Sequence, residues 1–379
     1  MYKPLTSALP HTVERPVGDP FGNLFVGDSS RVVKIDIADG RLQRVAGGAD
    51  YPDGTPSLAA SFFLPTGIAV DAAGNVYVVD SRNNRIRRAS IDGTVSTVAG
   101  NGTTLYSGDN GPATSAGLVN PNFVAVDTHG NLYIADDARI RQVDASGNIR
   151  TIAGTGVKGC GGDALFATVV SIGVIHSVAV DSQGNVYAAD PYCSVIRKVD
   201  PTGSISIVAG TGQFGYSDDG GLATEATLNY PLGVAVDHED NLYIADSYAD
   251  RIRKVDAAGI ISTVAGVGHE GFGGDGGPAV NAVLCAPNAI AFDEAGNLFI
   301  SDQSNGVVRK VDTSGTISTA AGAWGSGPGL IGNPGPGSMT FLGIPESVAA
   351  HGGTLYVSSP VNERIQKINP DEIFAAGFQ

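Results

Sequence analysis

The pattern of apolar and polar positions repeats along this chain, and one short phrase makes the repetition visible. A segment reading NLYIAD or a close variant begins at residues 23, 75, 131, 185, 241 and 297, with a weaker copy from residue 354. Self-similarity at a spacing of about 55 residues indicates a repeat architecture. The chain is therefore predicted to be built from copies of one supersecondary unit.

Each unit is predicted to contain four short strands, called a to d here, and the fifth copy illustrates them. They span Gly233–Asp237, Asn241–Asp246, Arg251–Asp256 and Ile260–Ala265. Apolar residues at alternate positions are typical of half-buried strands, and the polar residues 238–241 are suited to a tight a–b hairpin. Such units bury their faces by packing against one another in a ring, which predicts a β-propeller.

The combined motifs GIAVD, GNLYIAD, RIRKVD and STVAG resemble the NHL repeat family, and the linker Gly273–Ala279 (GGDGGPA) resembles a bacterial subgroup of it. The resemblance covers about residues 13–377. It implies an all-β fold, a closed β-propeller of four-stranded antiparallel blades. We count seven blades, with six as the alternative because many family members have six. Residues 13–379 would form one propeller, and residues 1–12 a tail or closing strand.

Charge and composition narrow the range of partners. The chain has 23 Lys and Arg against 38 Asp and Glu, a net charge of −15. This surface repels phosphate backbones, so nucleic acid is not an expected partner, whereas cations, basic proteins or neutral sugars are compatible with it. No run of about 20 apolar residues exists, so no membrane span is predicted. The N-terminal decapeptide lacks the apolar core of a signal peptide.

Two of the three cysteines depart from the repeat at the same place. Cys160 replaces an aromatic residue of the linker, and Cys193 replaces a small or polar residue of the b–c loop. Both departures fall on the same face around the fourth blade, which suggests a disulfide and an oxidising, secreted or periplasmic location. A cytoplasmic location with free thiols is the alternative. Cys285 is expected to be a buried free thiol.

The linkers from strand d to the next strand a run to about 20 residues, more than a connection requires. Strand order places them on the same face as the b–c loops, and long loops on a rigid scaffold commonly carry binding sites. An Asp recurs in them at Asp109, Asp163, Asp219 and Asp275. We interpret these residues as N-terminal caps of short helical turns rather than as calcium ligands.

An aromatic residue lies three positions before most of these aspartates, at Tyr106, Tyr216 and Phe272. Each ring could anchor its linker to the blade, or the rings could together offer stacking surfaces for a sugar or peptide. His269 and Trp324 are not repeated in other units and fit the second interpretation better.

The residue type at the mouth of the central channel varies between units, although the strand-a residues that follow it repeat. The position is occupied in turn by Glu14, Thr66, Asn122, His176, Leu232, Asn288 and Glu346. The set resembles the central sites of propeller enzymes such as the streptogramin lyase and the gluconolactonase group. That resemblance implies one calcium, magnesium or zinc ion held by Glu14, Glu346 and His176, with His176 as general base and Glu346 also catalytic. Polar groups lining a water-filled channel are the alternative.

Three functional hypotheses follow. The first is a binding module for a protein, peptide or carbohydrate on the long-loop face, using Tyr106, Tyr216, Phe272, His269, Trp324, Asn122 and Asn288. The second is a divalent-metal lyase or hydrolase at the channel mouth. The third is a structural repeat domain of a longer protein. Fold alone does not decide among them.

Overall fold

The computed structural model describes residues 13–18, 24–28, 31–35, 42–47, 65–321, 347–351, 354–359 and 364–368, apart from residues 72, 74, 91, 218 and 294. Side chains are described between residues 69 and 320, apart from those residues and residues 70 and 76. Several sequence predictions fall outside this region: the tail 1–12, Trp324, Glu346 and the side chain of Glu14.

The described strands form seven antiparallel sheets, called blades 1 to 7 in chain order. Blade 1 contains β1 (Val13–Gly18), β2 (Leu24–Asp28), β3 (Arg31–Ile35) and β4 (Leu42–Gly47). Blade 2 contains β5 (Pro65–Val70), β6 (Val76–Asp80), β7 (Arg85–Ala89) and β8 (Val95–Ala99). Blade 3 contains β10 (Pro121–Val126), β11 (Leu132–Asp136), β12 (Ile140–Val143) and β13 (Asn148–Ala153), with β9 (Gly111–Pro112) paired to its outer strand.

The remaining blades repeat this order. Blade 4 contains β14 (Ser177–Val180), β15 (Val186–Asp190), β16 (Val195–Val199) and β17 (Ile205–Ala209). Blade 5 contains β18 (Pro231–Val236), β19 (Leu242–Asp246), β20 (Arg251–Val255) and β21 (Ile261–Ala265). Blade 6 contains β22 (Pro287–Phe292), β23 (Leu298–Asp302), β24 (Val307–Val311) and β25 (Ile317–Ala321). Blade 7 contains β26 (Ser347–His351), β27 (Thr354–Ser359) and β28 (Arg364–Ile368).

Short 3-10 turns occupy two recurring places. In the b–c loops they span Ser81–Asn83, Ser247–Ala249 and Gln303–Asn305. In the linkers they span Ala113–Ser115, Ala167–Val169, Ala223–Glu225 and Ala279–Asn281. The recurrence of both turns shows that the linker is part of the repeated unit.

The first strands of the blades form the inner ring. β5 contacts β1 and β10, and contacts then pass through β14, β18 and β22 to β26, which contacts β1 again. The sheets are thus arranged around a central axis as a closed propeller, as predicted. Closing the ring buries the faces of the first and last sheets, which an open stack would leave exposed.

The apolar core lies between adjacent blades. The cluster between blades 4 and 5 joins Ile196 of blade 4 to Ile244 of blade 5. Each of the four linkers that the structure describes adds two small apolar residues and one larger side chain to such a cluster. These triplets are Ala113, Ala116 and Leu118; Ala167, Val170 and Ile172; Ala223, Ala226 and Leu228; and Ala279, Ala282 and Leu284. The linkers are therefore long because they fill the wedge between blades.

The linkers also cover the outer strand of the following blade. The amide of Ala223 donates to the carbonyl of Gly259 in the c–d turn of blade 5, and the amide of Gly220 donates to Ile261 in its strand d. The linker before blade 3 contributes β9 to that blade in the same way. Since exposed edge strands invite aggregation, this pairing protects the rim of the propeller. Much of each linker predicted as binding surface is thus engaged in structure.

Steric constraints explain why each STVAG-type motif ends in glycine. Gly154 and Gly210 adopt φ of +87° and +96°. A Cβ atom at either position would collide with a backbone carbonyl of the preceding b–c loop, that of Ala138 or Ser194 respectively. Only glycine fits both the left-handed conformation and this close approach.

Candidate functional site

The channel-mouth residues lie where the inner strands begin. Asn122, Leu232 and Asn288 are each the second residue of strand a, and the a–b pairing shifts register there. A β-bulge at this position leaves the residue out of the regular ladder and re-aims its side chain. In blades 3, 5 and 6 this position is thus structurally distinct from the rest of strand a, whereas in blade 4 His176 precedes the strand.

Within this ring, His176 and Asn288 have distinct surroundings. The Nδ1 atom of half-buried His176 lies 3.0 Å from the carbonyl oxygen of Leu232 in the next blade. Asn288 is 8% exposed, and its Oδ1 accepts no hydrogen bond from any described residue. Among the described side chains, no three His, Cys, Asp or Glu residues converge as metal ligands. Glu14 and Glu346, the predicted carboxylate ligands, lie outside that set, so the metal site stays a prediction.

The linker aromatics stack on arginines of strand c. The Tyr106 ring lies 3.7 Å below the guanidinium of Arg139, and Tyr216 lies 3.6 Å from that of Arg251. The Phe272 ring is 5.0 Å from Arg309. Stacking of this kind explains the recurrence of an aromatic residue through linker anchoring. Tyr106 and Tyr216 nevertheless remain 40% and 39% exposed. His269, in the linker that carries Phe272, is also exposed.

The linker aspartates do not cap helical turns, so this prediction was wrong. The turn after Asp109 begins at Ala113, and its N-cap position is Pro112, without a side-chain cap. Asp109 instead lies 2.7 Å from the buried guanidinium of Arg141 and accepts a hydrogen bond from Tyr106. Burial opposes ionisation, but these hydrogen bonds lower the pKa of Asp109 below its ordinary value.

The same ion pair between a linker aspartate and a buried arginine of strand c, called the linker clamp here, recurs in later blades and explains the buried arginine in the middle of that strand. Asp219 lies 2.9 Å from Arg253 and accepts the amide proton of Thr263 in the outer strand. Asp275 engages Arg309 in blade 6. The guanidinium groups are fully buried, a costly placement that requires paired charge. Sequence patterning missed this role, because the pairing joins residues 32 or more positions apart.

Beneath each clamp, the aspartate that ends strand b is also buried. Asp246 accepts the amide proton of Asn229 in the linker, and its second oxygen lies 3.8 Å from Arg253. Burial raises the pKa of Asp246 to about 7 and that of Asp302 to about 6. Both residues accept hydrogen bonds from linker amides, those of Asn229 and Cys285.

Blade 4 replaces the cation–π contact by a covalent link. The structure places Cys160 and Cys193 in a disulfide, with their Cα atoms 5.4 Å apart. Val195 stands where blade 5 has Arg251, so the stacking partner of the aromatic is missing as well. The disulfide thereby ties the linker between blades 3 and 4 to the b–c loop that carries Tyr192. Cys285 is free and half-buried.

Three exposed tyrosines on the b–c face were missed by the sequence analysis. Tyr192 and Tyr248 occupy the same position in the b–c loops of blades 4 and 5, and are 57% and 62% exposed. The Tyr230 ring stacks on that of Tyr248 at 4.9 Å with an interplanar angle of 15°. The signal available in the sequence was the departure of both loop positions from Arg82 and Ser304 in the neighbouring repeats.

Comparisons with known proteins fit this architecture. The model of the Teneurin NHL domain matches residues 102–158 and 214–272, and that of the NHL repeat matches residues 64–88. The chain is an NHL-repeat β-propeller. Among the described residues of this propeller, no helix is long and apolar enough to span a membrane.

Curated relatives are much longer than this propeller. The chain is 30% identical over 283 residues to the chloroplastic protein SUPPRESSOR OF QUENCHING 1 of Arabidopsis thaliana, covering 70% of this chain and 26% of that protein. It is 28% identical over 327 residues to human Teneurin-4, covering 75% of this chain and 11% of Teneurin-4. The propeller thus corresponds to a minor part of each relative.

Solved structures share the fold at low identity. Virginiamycin B lyase from Staphylococcus aureus superimposes with a TM-score of 0.58 and 14% identity, covering 96% of both chains. An auxiliary nutrient binding protein from Bacteroides ovatus gives a TM-score of 0.57 and 14% identity, covering 94% of this chain and 97% of the other. At such identities the likeness concerns the fold alone, which hosts both catalysis and binding.

Proposed function

We propose that this propeller is an extracytoplasmic binding module whose protein, peptide or glycan ligand docks on the b–c face of blades 4 and 5. The observation that carries the proposal is the stacked, exposed pair of Tyr230 and Tyr248. Tyrosines offer flat apolar area and a hydroxyl group at a low cost in side-chain entropy, and they are enriched at binding surfaces.

The backbone at this pair is held in a costly conformation. Tyr230 has a φ of +59°, the left-handed region that bulky residues rarely adopt. Two hydrogen bonds hold the arrangement, from the Tyr248 amide to the Asn229 carbonyl and from the Asn229 side chain to the Tyr248 carbonyl. The equivalent residue of blade 6, Ala286, has the same left-handed conformation at φ +48°, so this backbone geometry is shared with the neighbouring repeat and in blade 5 positions the Tyr230 ring against Tyr248.

Tyr192 extends the surface by one blade. The residue after it, Cys193, forms the disulfide with Cys160, which ties the b–c loop to the preceding linker. A rigid loop loses less conformational entropy when a ligand binds, which raises affinity. His176 connects the two blades through the Leu232 carbonyl, and Leu232 lies two residues after Tyr230.

The extracytoplasmic location is proposed from the disulfide. Disulfides persist in oxidising compartments and are rare where thiol reductants are abundant. The net charge of −15 suits a basic or neutral ligand. Tyr106 and Tyr216 in the linkers would add further contacts through the ring face that is not stacked on an arginine.

The test is a screen followed by variants. Purified protein is applied to glycan and peptide arrays, and hits are measured by titration calorimetry. We expect Tyr248→Ala to weaken binding by about tenfold or more, as loss of a central aromatic contact typically does. Leu105→Ala removes a side chain that is 75% exposed in a linker and serves as the control. Equal affinity of the Tyr248→Ala and Leu105→Ala variants would contradict the proposal.

A divalent-metal lyase or hydrolase is the second candidate, favoured by the buried Asn288 oxygen beside the channel mouth. Oxygen and imidazole donors suit a divalent ion. Glu14 and Glu346 would hold the ion, which would supply Lewis-acid activation, and the Nε2 atom of His176 would move the proton. Elemental analysis of native protein should then find one metal ion per chain, and His176→Ala should abolish turnover with only a limited loss of thermal stability. Metal-free protein, or full activity of that variant, would refute this candidate.

A further inference from the structure

Equivalent clefts open between neighbouring blades on the opposite face, where the a–b and c–d turns lie. Among the described residues, the cleft between blades 3 and 4 measures about 390 Å³, and that between blades 4 and 5 about 330 Å³. The cleft between blades 5 and 6, called the 5–6 cleft here, measures about 660 Å³. The repeat therefore produces a cleft at each of these blade interfaces, and the 5–6 cleft is much larger than the other two.

A hydrogen-bonded latch closes the slot between blades 4 and 5. The backbone amide and hydroxyl of Ser182 in the a–b turn of blade 4 both donate to the carboxylate of Asp240 in blade 5. The corresponding residues of the next pair of blades are His238 and Gly296. Glycine has no side chain to complete the bridge, so the 5–6 cleft lacks this latch, as does the smaller cleft between blades 3 and 4, where Gly184 occupies the same position.

The floor of the 5–6 cleft is apolar. The ring of Phe292 meets that of Tyr243 edge to face at 4.7 Å, and Val264 and Val280 form the walls. Val280 is 46% exposed, although it is aliphatic. Phe292 also departs from the repeat, since Val236 occupies the same position in blade 5. An open slot of this size with aromatic lining can hold one or two apolar side chains.

The rim of the 5–6 cleft is predominantly acidic. Asp237, Glu239 and Asp312 line it, and Lys254 is the cation among its described residues. That lysine is already 3.8 Å from Asp237, which neutralises part of its charge. Glu239 and His238 are exposed at the mouth. The excess of carboxylates favours a cationic occupant over an anionic one.

We propose that the 5–6 cleft is a second binding site, distinct from the tyrosine surface, which takes an extended segment of a partner protein. The segment would insert an apolar side chain against Phe292 and Tyr243 and place flanking Lys or Arg side chains beside Glu239 and Asp312. The apolar floor supplies affinity, and the acidic rim selects for basic flanks and accelerates association.

The test uses the whole chain and two fluorescein-labelled peptides. Both contain a central Leu-Phe pair, flanked on each side by two lysines in one peptide and by two glutamates in the other. Fluorescence anisotropy should show binding of the lysine peptide, weakened by added salt, and at least about tenfold weaker binding of the glutamate peptide. No binding of the lysine peptide at millimolar concentration, or equal binding of both, would overturn the proposal.

A closing variant tests the location. His238→Ser combined with Gly296→Asp rebuilds the latch of the neighbouring cleft, and Asp240 shows that aspartate tolerates the left-handed conformation there, at φ +62°. A Cβ at Gly296 would make only an ordinary contact with Thr313. We expect this variant to bind the lysine peptide about tenfold more weakly despite its added negative charge. Gly130→Asp adds the same charge in open space at blade 3 and should bind normally. If the closing variant binds as tightly as Gly130→Asp, the site lies elsewhere.

Discussion

Replacing Asp219 by alanine should reveal how much the linker clamp stabilises the propeller. The Asp219 carboxylate lies 2.9 Å from the fully buried guanidinium of Arg253 and accepts the amide proton of Thr263 at 2.8 Å. The equivalent residue of the neighbouring blade, Asp163, accepts the Ile207 amide at 2.7 Å. In that blade the guanidinium of Arg197 bonds instead to Asp190, so Asp163→Ala is a matched control.

The expected magnitudes follow from these contacts. Loss of one hydrogen bond from a backbone amide costs about 1 kcal/mol, which is the expectation for Asp163→Ala. Asp219→Ala removes such a bond and also one partner of a buried arginine, a loss of about 3–5 kcal/mol when both groups are buried. The Asp219 side chain is 37% exposed, so water replaces part of the interaction. We therefore expect a total of about 3 kcal/mol.

Urea unfolding followed by circular dichroism measures the two free energies, with the wild-type chain measured in parallel. Hydrogen exchange gives a local readout, since the Thr263 amide should lose protection in Asp219→Ala while the Ile207 amide does not. A cost for Asp163→Ala equal to or larger than that for Asp219→Ala would show that the buried ion pair contributes nothing. Retained protection at Thr263 would refute the assigned hydrogen bond.

Three further outcomes are expected. Burial raises the pKa of Asp246 to about 7, so the native state keeps a proton that the unfolded chain releases above about pH 4. The free energy of unfolding should therefore fall as the pH rises from about 4 to about 7. Urea unfolding midpoints should show a less steep fall for Asp246→Asn. Removing the disulfide by Cys160→Ser with Cys193→Ser should cost about 3 kcal/mol, given the sequence separation of 33, and an unchanged melting temperature would contradict this. Gly154→Ala should lower the melting temperature far more than Gly130→Ala, because a Cβ meets backbone only at Gly154; equal shifts would show that left-handed strain alone matters.

Much of the fold could be predicted because its causes are local and repeated. Alternating apolar positions and turn residues define the strands of blade 5, and the predicted strand c at Arg251–Asp256 differs from the observed β20 (Arg251–Val255) by one residue. The partnership of Cys160 with Cys193 could be anticipated because two departures from the repeat fell in the same blade. Repetition compensates for the weak signal of any single strand.

Candidate site residues were less predictable, because a residue type does not reveal its partner. Asp109 precedes a short turn in a GDN sequence, which is typical of a helix cap. In the structure its carboxylate instead pairs with Arg141, which lies 32 positions away in the sequence. Tyr106 and Tyr216 had two open interpretations until their stacking on arginines was visible. The paired Tyr230 and Tyr248 lie in different loops, and nothing in either loop alone indicates their contact.

The sequence by itself determined the repeated four-stranded unit and its ring-like packing, since short-range alternation, turn chemistry and glycine conformations act within a few residues of one another. Only the tertiary structure decided which rings stack, which charges are buried together and which cleft between blades stays open. Those outcomes depend on how linkers and blades approach each other across the ring. A change such as Asp240 to Gly296 at equivalent positions alters the surface without altering the strand pattern.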